Sequence, residues 1–342
     1  MAYDYTPYLA AVEQELHGIL TVREEAVAPL YQMMQYHQGW LDARFQPAEA
    51  PRGKRLRPLM CLLACEAVGG DWHQAVPAAS AIELLHNFSL LHDDIEDHSE
   101  TRRHRPTVWS LWGVPQGINT GDAMWAVSRL AMHRLTERGY AAESALRAIR
   151  RLDEACTELC AGQYLDLKFE AAEIVPLDEY ERMIAGKTAA LLSASVAIGA
   201  ILGGAQDAVI EAYAAFGQEL GLAFQIMDDI LGIWGDPAIT GKSAASDILD
   251  RKKALPALYA LHWEREHGYN DLAALYARGA PSIEEVPQVL ALLERAGAEE
   301  YARGQAREHH QRSLRYLGAT QVRHPAHEAL RDLASSLMAR SS

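Results

Sequence analysis

Apolar residues recur at helical spacing over residues 58–69, 75–100, 118–136, 142–170, 177–203, 207–234 and 283–317, and no convincing run alternates with a period of two. A chain patterned this way can bury its apolar stripes only by packing helix on helix, so an all-α fold is expected. Glycine and proline interrupt the pattern at 51–53, 69–70, 113–117, 203–204, 235–241 and 280–281, which leaves short connections. At 342 residues, length alone favours two domains. No linker, internal repeat or low-complexity segment divides the chain, however, and one helical domain over residues 1–342 is expected.

The uncharged run Thr188–Gln206 is long enough for a membrane span, but it is rich in Ala, Gly and Ser and lacks flanking Trp or Tyr. A helix buried on all sides fits it better, and no stable membrane insertion is expected. The first residues show no basic start and no apolar signal core, so a cytoplasmic protein is expected. Cys61, Cys65, Cys156 and Cys160 stand in two i, i+4 pairs, read as small buried thiols on helix faces rather than a zinc site. The net charge of −14 argues against a nucleic-acid partner. An anionic substrate is still compatible where basic groups or metal ions reverse the field locally.

The charge is unevenly placed. Asp93, Asp94, Glu96, Asp97 and Glu100 crowd one short stretch, followed at once by Arg102, Arg103 and Arg105. Like charges one turn apart repel, so such a cluster invites a cation. Asp93 and Asp97 share a helix face, and a second pair, Asp228 and Asp229, lies on another helix. Carboxylates of this kind suit magnesium, which is often held by one or two acids plus substrate phosphates. A solvated acidic face is the plainer reading. Two features weigh against it: both clusters follow directly on apolar residues, and basic groups collect nearby (Lys54, Arg55, Arg57; Arg102, Arg103; Lys242, Lys252, Lys253). If the two clusters share a site, both halves of the chain build one bundle. The stretch Gly235–Ser243 imitates a P-loop but has five residues between its glycines and no preceding strand, and neither acidic segment has the pattern of an EF-hand loop.

With these residues in view, the chain resembles the trans-isoprenyl diphosphate synthases, the farnesyl and geranylgeranyl diphosphate synthase family. The matching segments run in order over roughly three fifths of the chain: Gly53-Lys54-Arg55-Leu56-Arg57-Pro58, Glu83 to Ser89, the first aspartates, Arg102-Arg103, Pro106-Thr107, Asn119-Thr120-Gly121-Asp122, Gly162-Gln163-Tyr164-Leu165-Asp166, Lys187-Thr188, Phe224-Gln225 with Asp228-Asp229, then Lys242 and Lys252. The resemblance implies an isoprenoid-synthase-like helical bundle around a deep central apolar pocket. It implies that Asp93, Asp97 and Asp228 bind about three magnesium ions, with Asp94 and Asp229 in support. Arg102, Lys187 and Lys242 would hold an allylic diphosphate, and Lys54, Arg57, His86 and Arg103 isopentenyl diphosphate. Lys252 would help close the site, Gln163, Asp166, Thr188 and Gln225 would line it, and the protein would be a homodimer. Three positions depart from the family pattern: Gly232 replaces the third acid of the second motif, His104 a glycine, and Ser243-Ala244-Ala245-Ser246 a Pro-x-Gly-like stretch.

The resemblance also bears on product length. One helical turn rises about 5.4 Å, close to one isoprene unit, so side chains a turn before Asp93 can act as a floor for the growing tail. Ser89 is small and nearly beneath Asp93; Phe88 is bulky and on the adjacent flank. That combination is similar to geranylgeranyl synthases, with farnesyl and geranylfarnesyl synthases as alternatives. Two rivals remain: a class I terpene cyclase, which does not need the isopentenyl-binding residues, and a non-catalytic synthase subunit, which should have lost aspartates or arginines.

Overall fold

The computed structural model describes residues 3–235 and 245–339. Helices Leu56–Ala67, Trp72–Glu96, Val114–Glu137, Ala142–Glu170 and Asp207–Trp234 lie where the periodicity places them. Residues 283–317 depart from expectation and form two helices, Val286–Ala296 and Ala298–Ala319. Gly297 breaks them by taking φ 70, the left-handed conformation glycine enters most readily. The pattern also passed over Thr6–Ile19, Ala28–His37 and Leu255–His267, each with a proline in its first turn. At that position the missing N–H costs nothing, so those prolines start helices rather than break them. Among the described residues the only strands are Thr101–Arg102 and Arg105–Pro106, a miniature antiparallel hairpin.

The chain divides into two compact units: Met1–Asp153 with Ala194–Glu211 and Val322–Leu330, and Glu154–Ser193 with Ala212–Gln321 and Arg331–Ser342. In the first, Trp72–Glu96 is the central helix, packed against Thr6–Ile19, Leu56–Ala67 and Val114–Glu137. Its start is capped by the Asp71 carboxylate, which accepts from the His73 N–H. From Ala75 to Leu85 every residue is buried, so this stretch has no polar face. Gly121 lets the neighbouring helix approach: a Cβ there would lie 2.3 Å from His92 Nε2. In the second unit one core gathers Tyr180, Met183, Ile184, Leu222, Ile226 and Leu258, and another gathers Ile248, Leu261, Leu272, Leu275 and Leu293.

Leu177–Leu202 is long and apolar enough to cross a membrane by length and composition, and 78% of its most apolar window is buried inside the structure, as a core helix would be. No cysteine is in a disulfide. Cys61 and Cys65 are buried as expected, but Cys156 is only half-buried and Cys160 is exposed.

Candidate active site

The first acidic cluster sits at the C-terminal end of Trp72–Glu96. The helix closes on a left-handed residue, His98 (φ 52), with the Ser99 N–H donating to the Asp94 carbonyl at 2.9 Å and the His98 N–H to the Ile95 carbonyl at 3.2 Å. Carboxylates here face the negative end of the helix dipole, which is unfavourable without cations. One cation is Arg102: its Nε donates to Asp94 Oδ1 at 2.7 Å and a terminal nitrogen to Asp93 Oδ2 at 3.4 Å. Asp94 is buried, and burial, opposed by Arg102, pushes its carboxyl up to about 6. Asp93 is half-buried and Asp97 exposed.

The hairpin after this helix carries the arginines. Its two turn residues, Arg103 (φ 52) and His104 (φ 62), are both left-handed, as a tight two-residue turn requires. His104 thus stands where a glycine would sit without strain, which is the physical content of that departure from the family pattern. Gly53 leaves room for the Arg103 side chain, since a Cβ there would lie 2.9 Å from a terminal guanidinium nitrogen. Arg103, Asp94, Arg102 and His37 line one cavity. Beside it, an Arg57 guanidinium nitrogen lies 3.4 Å from His86 Nε2, and Arg57 Nε and His37 Nε2 are buried without hydrogen-bond partners. Burial first, then Arg57, Arg103 and Arg102, hold His86 well below the usual histidine range, so it is neutral. Lys54 is exposed at the edge of this group. Its neighbour Arg55 is anchored instead, donating to Glu83 Oε1 at 2.6 Å and Gln38 Oε1 at 2.8 Å. That anchor ties the basic segment to the acid-bearing helix. Phe88 packs edge-on to His92 with centroids 5.2 Å apart, and Ser89 donates to the His86 carbonyl at 2.8 Å.

The second unit holds the other cluster. Asp229 is buried and fully engaged: the Tyr180 hydroxyl donates to Oδ2 at 2.6 Å, the Leu255 N–H to Oδ2 at 2.9 Å, and Gln225 Nε2 to Oδ1 at 3.0 Å. Thr188 Oγ1 in turn donates to Gln225 Oε1 at 2.7 Å. Asp229 is therefore held in place on three sides, while Asp228, the preceding residue of the same helix, is half-buried. Lys187 lies in a single π-turn, Ala185–Ala189, and its Nζ donates to Asp166 Oδ2 at 2.5 Å. Two glycines make this pair possible. A Cβ on Gly162 would lie 2.1 Å from Lys187 N, and one on Gly186 2.6 Å from the Glu158 carbonyl oxygen. Burial disfavours the Lys252 ammonium, but Asp229, Asp247, Asp228 and Asp166 outweigh it and hold its pKa above the lysine range. Gln163 is half-buried on the Asp166 helix.

Gly232 has a structural explanation. The Asp247 carboxylate occupies its side-chain space, with Oδ2 2.3 Å and Cγ 2.4 Å from where a Cβ would stand. Lys242, Ser243 and Ala244, and most of the P-loop-like stretch, lie outside the described residues. Ala245, at the glycine position of the altered stretch, has φ 57, again the left-handed region.

Among the described residues no three His, Cys, Asp or Glu side chains form a ready-made metal cage. The donors present fit an ion shared with a ligand: hard carboxylate oxygens at a helix end, and the buried, unpartnered Asp94 Oδ2 able to accept from its hydration water. Sequence reasoning missed His37, Tyr180, Asp247 and the Arg55–Glu83 anchor. A histidine, a tyrosine or an isolated acid carries no signal until the fold brings its partner near.

Residues 38–293 match the family model described as polyprenyl synthetase. A geranylgeranyl diphosphate synthase of Mycobacterium tuberculosis is 46% identical over 270 residues, 79% of this chain and 76% of that protein. A (2E,6E)-farnesyl diphosphate synthase of the same species is 40% identical over 317 residues, 91% of this chain and 86% of that protein. Among solved structures, a polyprenyl synthetase from Streptomyces coelicolor A3(2) superposes with TM-score 0.88 at 36% identity, covering 98% of this chain and 99% of that one. A geranylgeranyl pyrophosphate synthase from Corynebacterium glutamicum, complexed with isoprenyl diphosphate and magnesium, gives TM-score 0.85 at 26% identity, covering 99% and 100%.

Proposed function

This chain belongs to the polyprenyl synthetase family and is a trans-prenyltransferase, and from that premise we propose that it joins isopentenyl diphosphate head to tail to allylic diphosphates, with magnesium, to give geranylgeranyl diphosphate. The observation that carries this reading is the pairing, within one unit, of an acid-tipped helix with a basic hairpin: Asp93 and Asp94 bound by Arg102, beside Arg103, Arg57 and a neutral His86.

Asp93, Asp97 and Asp228 are the proposed magnesium ligands, three ions in number by family resemblance. Bound magnesium supplies charge neutralisation at the diphosphate as the allylic carbon–oxygen bond breaks. Arg102, Lys187 and Lys242 hold that diphosphate, which leaves with the bonding electron pair. Arg57, Arg103, Lys54 and His86 hold isopentenyl diphosphate so that its double bond faces the allylic cation and forms the new carbon–carbon bond. The proton then lost passes to the departed diphosphate. Asp94 and Asp229 brace the ligands, and Gln163, Asp166, Thr188 and Gln225 line the site. Lys252, in the field of Asp229 and Asp228, helps close the site.

The product length rests on Phe88 one turn before the acids, with Ser89 leaving the other flank open. Replacing Phe88 by alanine should shift the product beyond twenty carbons, read by chromatography of the dephosphorylated prenols. An unchanged product would remove Phe88 as the floor. Homodimerisation belongs to the same proposal, supported by the exposed apolar side chains Val114, Ile118 and Trp125 on one helix, as does a cytoplasmic location.

A further inference from the structure

The turn after the short helix Ser246–Leu249 closes with the Arg251 N–H donating to the Ile248 carbonyl at 3.0 Å and the Lys252 N–H to the Asp247 carbonyl at 2.8 Å. That closure demands a left-handed residue, and Arg251 fills it with φ 50. Glycine is favoured there; a long charged side chain is strained, and such strain persists where the surroundings hold the residue, often at ligand clamps. The neighbouring side chain Lys252 feels Asp229, Asp247, Asp228 and Asp166. Arg251 instead lines a separate cavity of about 110 Å³ with Glu173, Leu261, Ala273 and Tyr276.

Two buried polar atoms of those lining residues have no hydrogen-bond partner: Arg251 Nε and the Tyr276 hydroxyl. Tyr276 is only 3% exposed. A guanidinium Nε can only donate, and the phenol is free to do so, so the missing partner is an acceptor. The surroundings favour a charged one. Lys253 is buried beside Arg251, and its ammonium makes a long 3.4 Å bond to the Glu173 carbonyl. The negative groups nearby are Asp250 and Glu173, both exposed residues, and Asp247, which also acts on Lys252. Leu261 and Ala273 supply apolar walls, and the volume holds several waters or one small anion.

We propose that this cavity is a binding site for a small oxyanion, phosphate or carboxylate, held by Arg251 Nε and the Tyr276 hydroxyl. It lies one peptide from Lys252, so an occupant adjoins the turn that carries a proposed active-site lysine.

The test is isothermal titration of the full-length protein with inorganic phosphate in EDTA, comparing wild type with Arg251→Gly and Tyr276→Phe. The first variant removes the guanidinium and relieves the left-handed strain; the second removes one hydroxyl from an intact ring. Urea unfolding should show both folded. Wild type should bind one more phosphate per chain than either variant, or bind that phosphate at least tenfold tighter. Superimposable isotherms from all three proteins would overturn the proposal and leave a cavity that holds only water. Acetate and n-butyl phosphate separate the sources. Acetate binding lost in both variants assigns a carboxylate, whereas tighter binding of butyl phosphate than inorganic phosphate assigns a phosphate ester with its chain against Leu261.

Discussion

Gly162→Ala is the substitution by which the structure most sharply connects packing to chemistry. The added methyl would stand 2.1 Å from Lys187 N and 2.8 Å from both Gly186 C and Lys187 Cα, all backbone atoms that no rotamer change can move. Ordinary contact requires the two segments to separate by more than an ångström. Overpacking of this kind costs about 1–3 kcal/mol, sometimes more, while alanine in a helix returns up to about 1 kcal/mol relative to glycine. A net loss of about 1–2 kcal/mol is therefore expected from urea unfolding. Gly304 is the control, because the nearest atom to its Cβ position is an arginine tip at 3.9 Å. Gly304→Ala should be neutral or stabilising by up to about 1 kcal/mol. The separation at Gly162 also pulls Lys187 from Asp166, now 2.5 Å apart. Misplacement by about 1 Å can lower kcat/KM by about 10²-fold, and the loss should appear when the allylic diphosphate is varied. A Gly162→Ala protein as stable as Gly304→Ala, with unchanged kinetics, would refute the close crossing and its role.

Other substitutions test single points. His104→Gly should raise stability by about 1 kcal/mol, because His104 holds φ 62 in the hairpin turn; a loss in thermal or urea unfolding would contradict the turn assignment. Restoring an acid with Gly232→Asp should destabilise the protein by about 1–3 kcal/mol through collision with Asp247, and Asp247→Gly in the same chain should recover much of it; additive effects in a double-mutant cycle would refute the contact. Acid sensitivity has a specific source in His37 and His86, whose folded pKa values burial and nearby arginines hold well below the free value. Below about pH 6.5 the unfolded chain takes up protons that the native site refuses, so stability falls as pH falls, by at most about 1.4 kcal/mol per pH unit for each histidine. His37→Gln should flatten that slope, and an unchanged slope would remove His37 as a contributor.

Much of the candidate site is legible in the sequence because its proposed chemistry is written in charge. Asp93, Asp97 and Asp228 stand out as acids after apolar runs, and Arg102 and Arg103 as cations directly following. The structure pairs Arg102 with Asp93 and Asp94, which neighbouring charges suggest by themselves. Periodicity placed the long helices because one face of each must be buried. It overlooked Thr6–Ile19, Ala28–His37 and Leu255–His267, where proline starts a helix rather than ending one. It could not find the Asp247 side chain in the space above Gly232, since that contact joins distant residues and leaves no local pattern. Backbone conformation was equally hidden. His104, Ala245 and Arg251 all occupy left-handed positions where glycine would be the readable signal.

Prenyl transfer is measured by supplying the purified protein with labelled isopentenyl diphosphate and, in turn, dimethylallyl, geranyl and farnesyl diphosphate, with and without magnesium, and sizing the products by chromatography. Magnesium-dependent incorporation into a linear twenty-carbon diphosphate is expected. Release of a hydrocarbon or alcohol from an allylic diphosphate alone, or no incorporation of isopentenyl diphosphate with any starter, would contradict it.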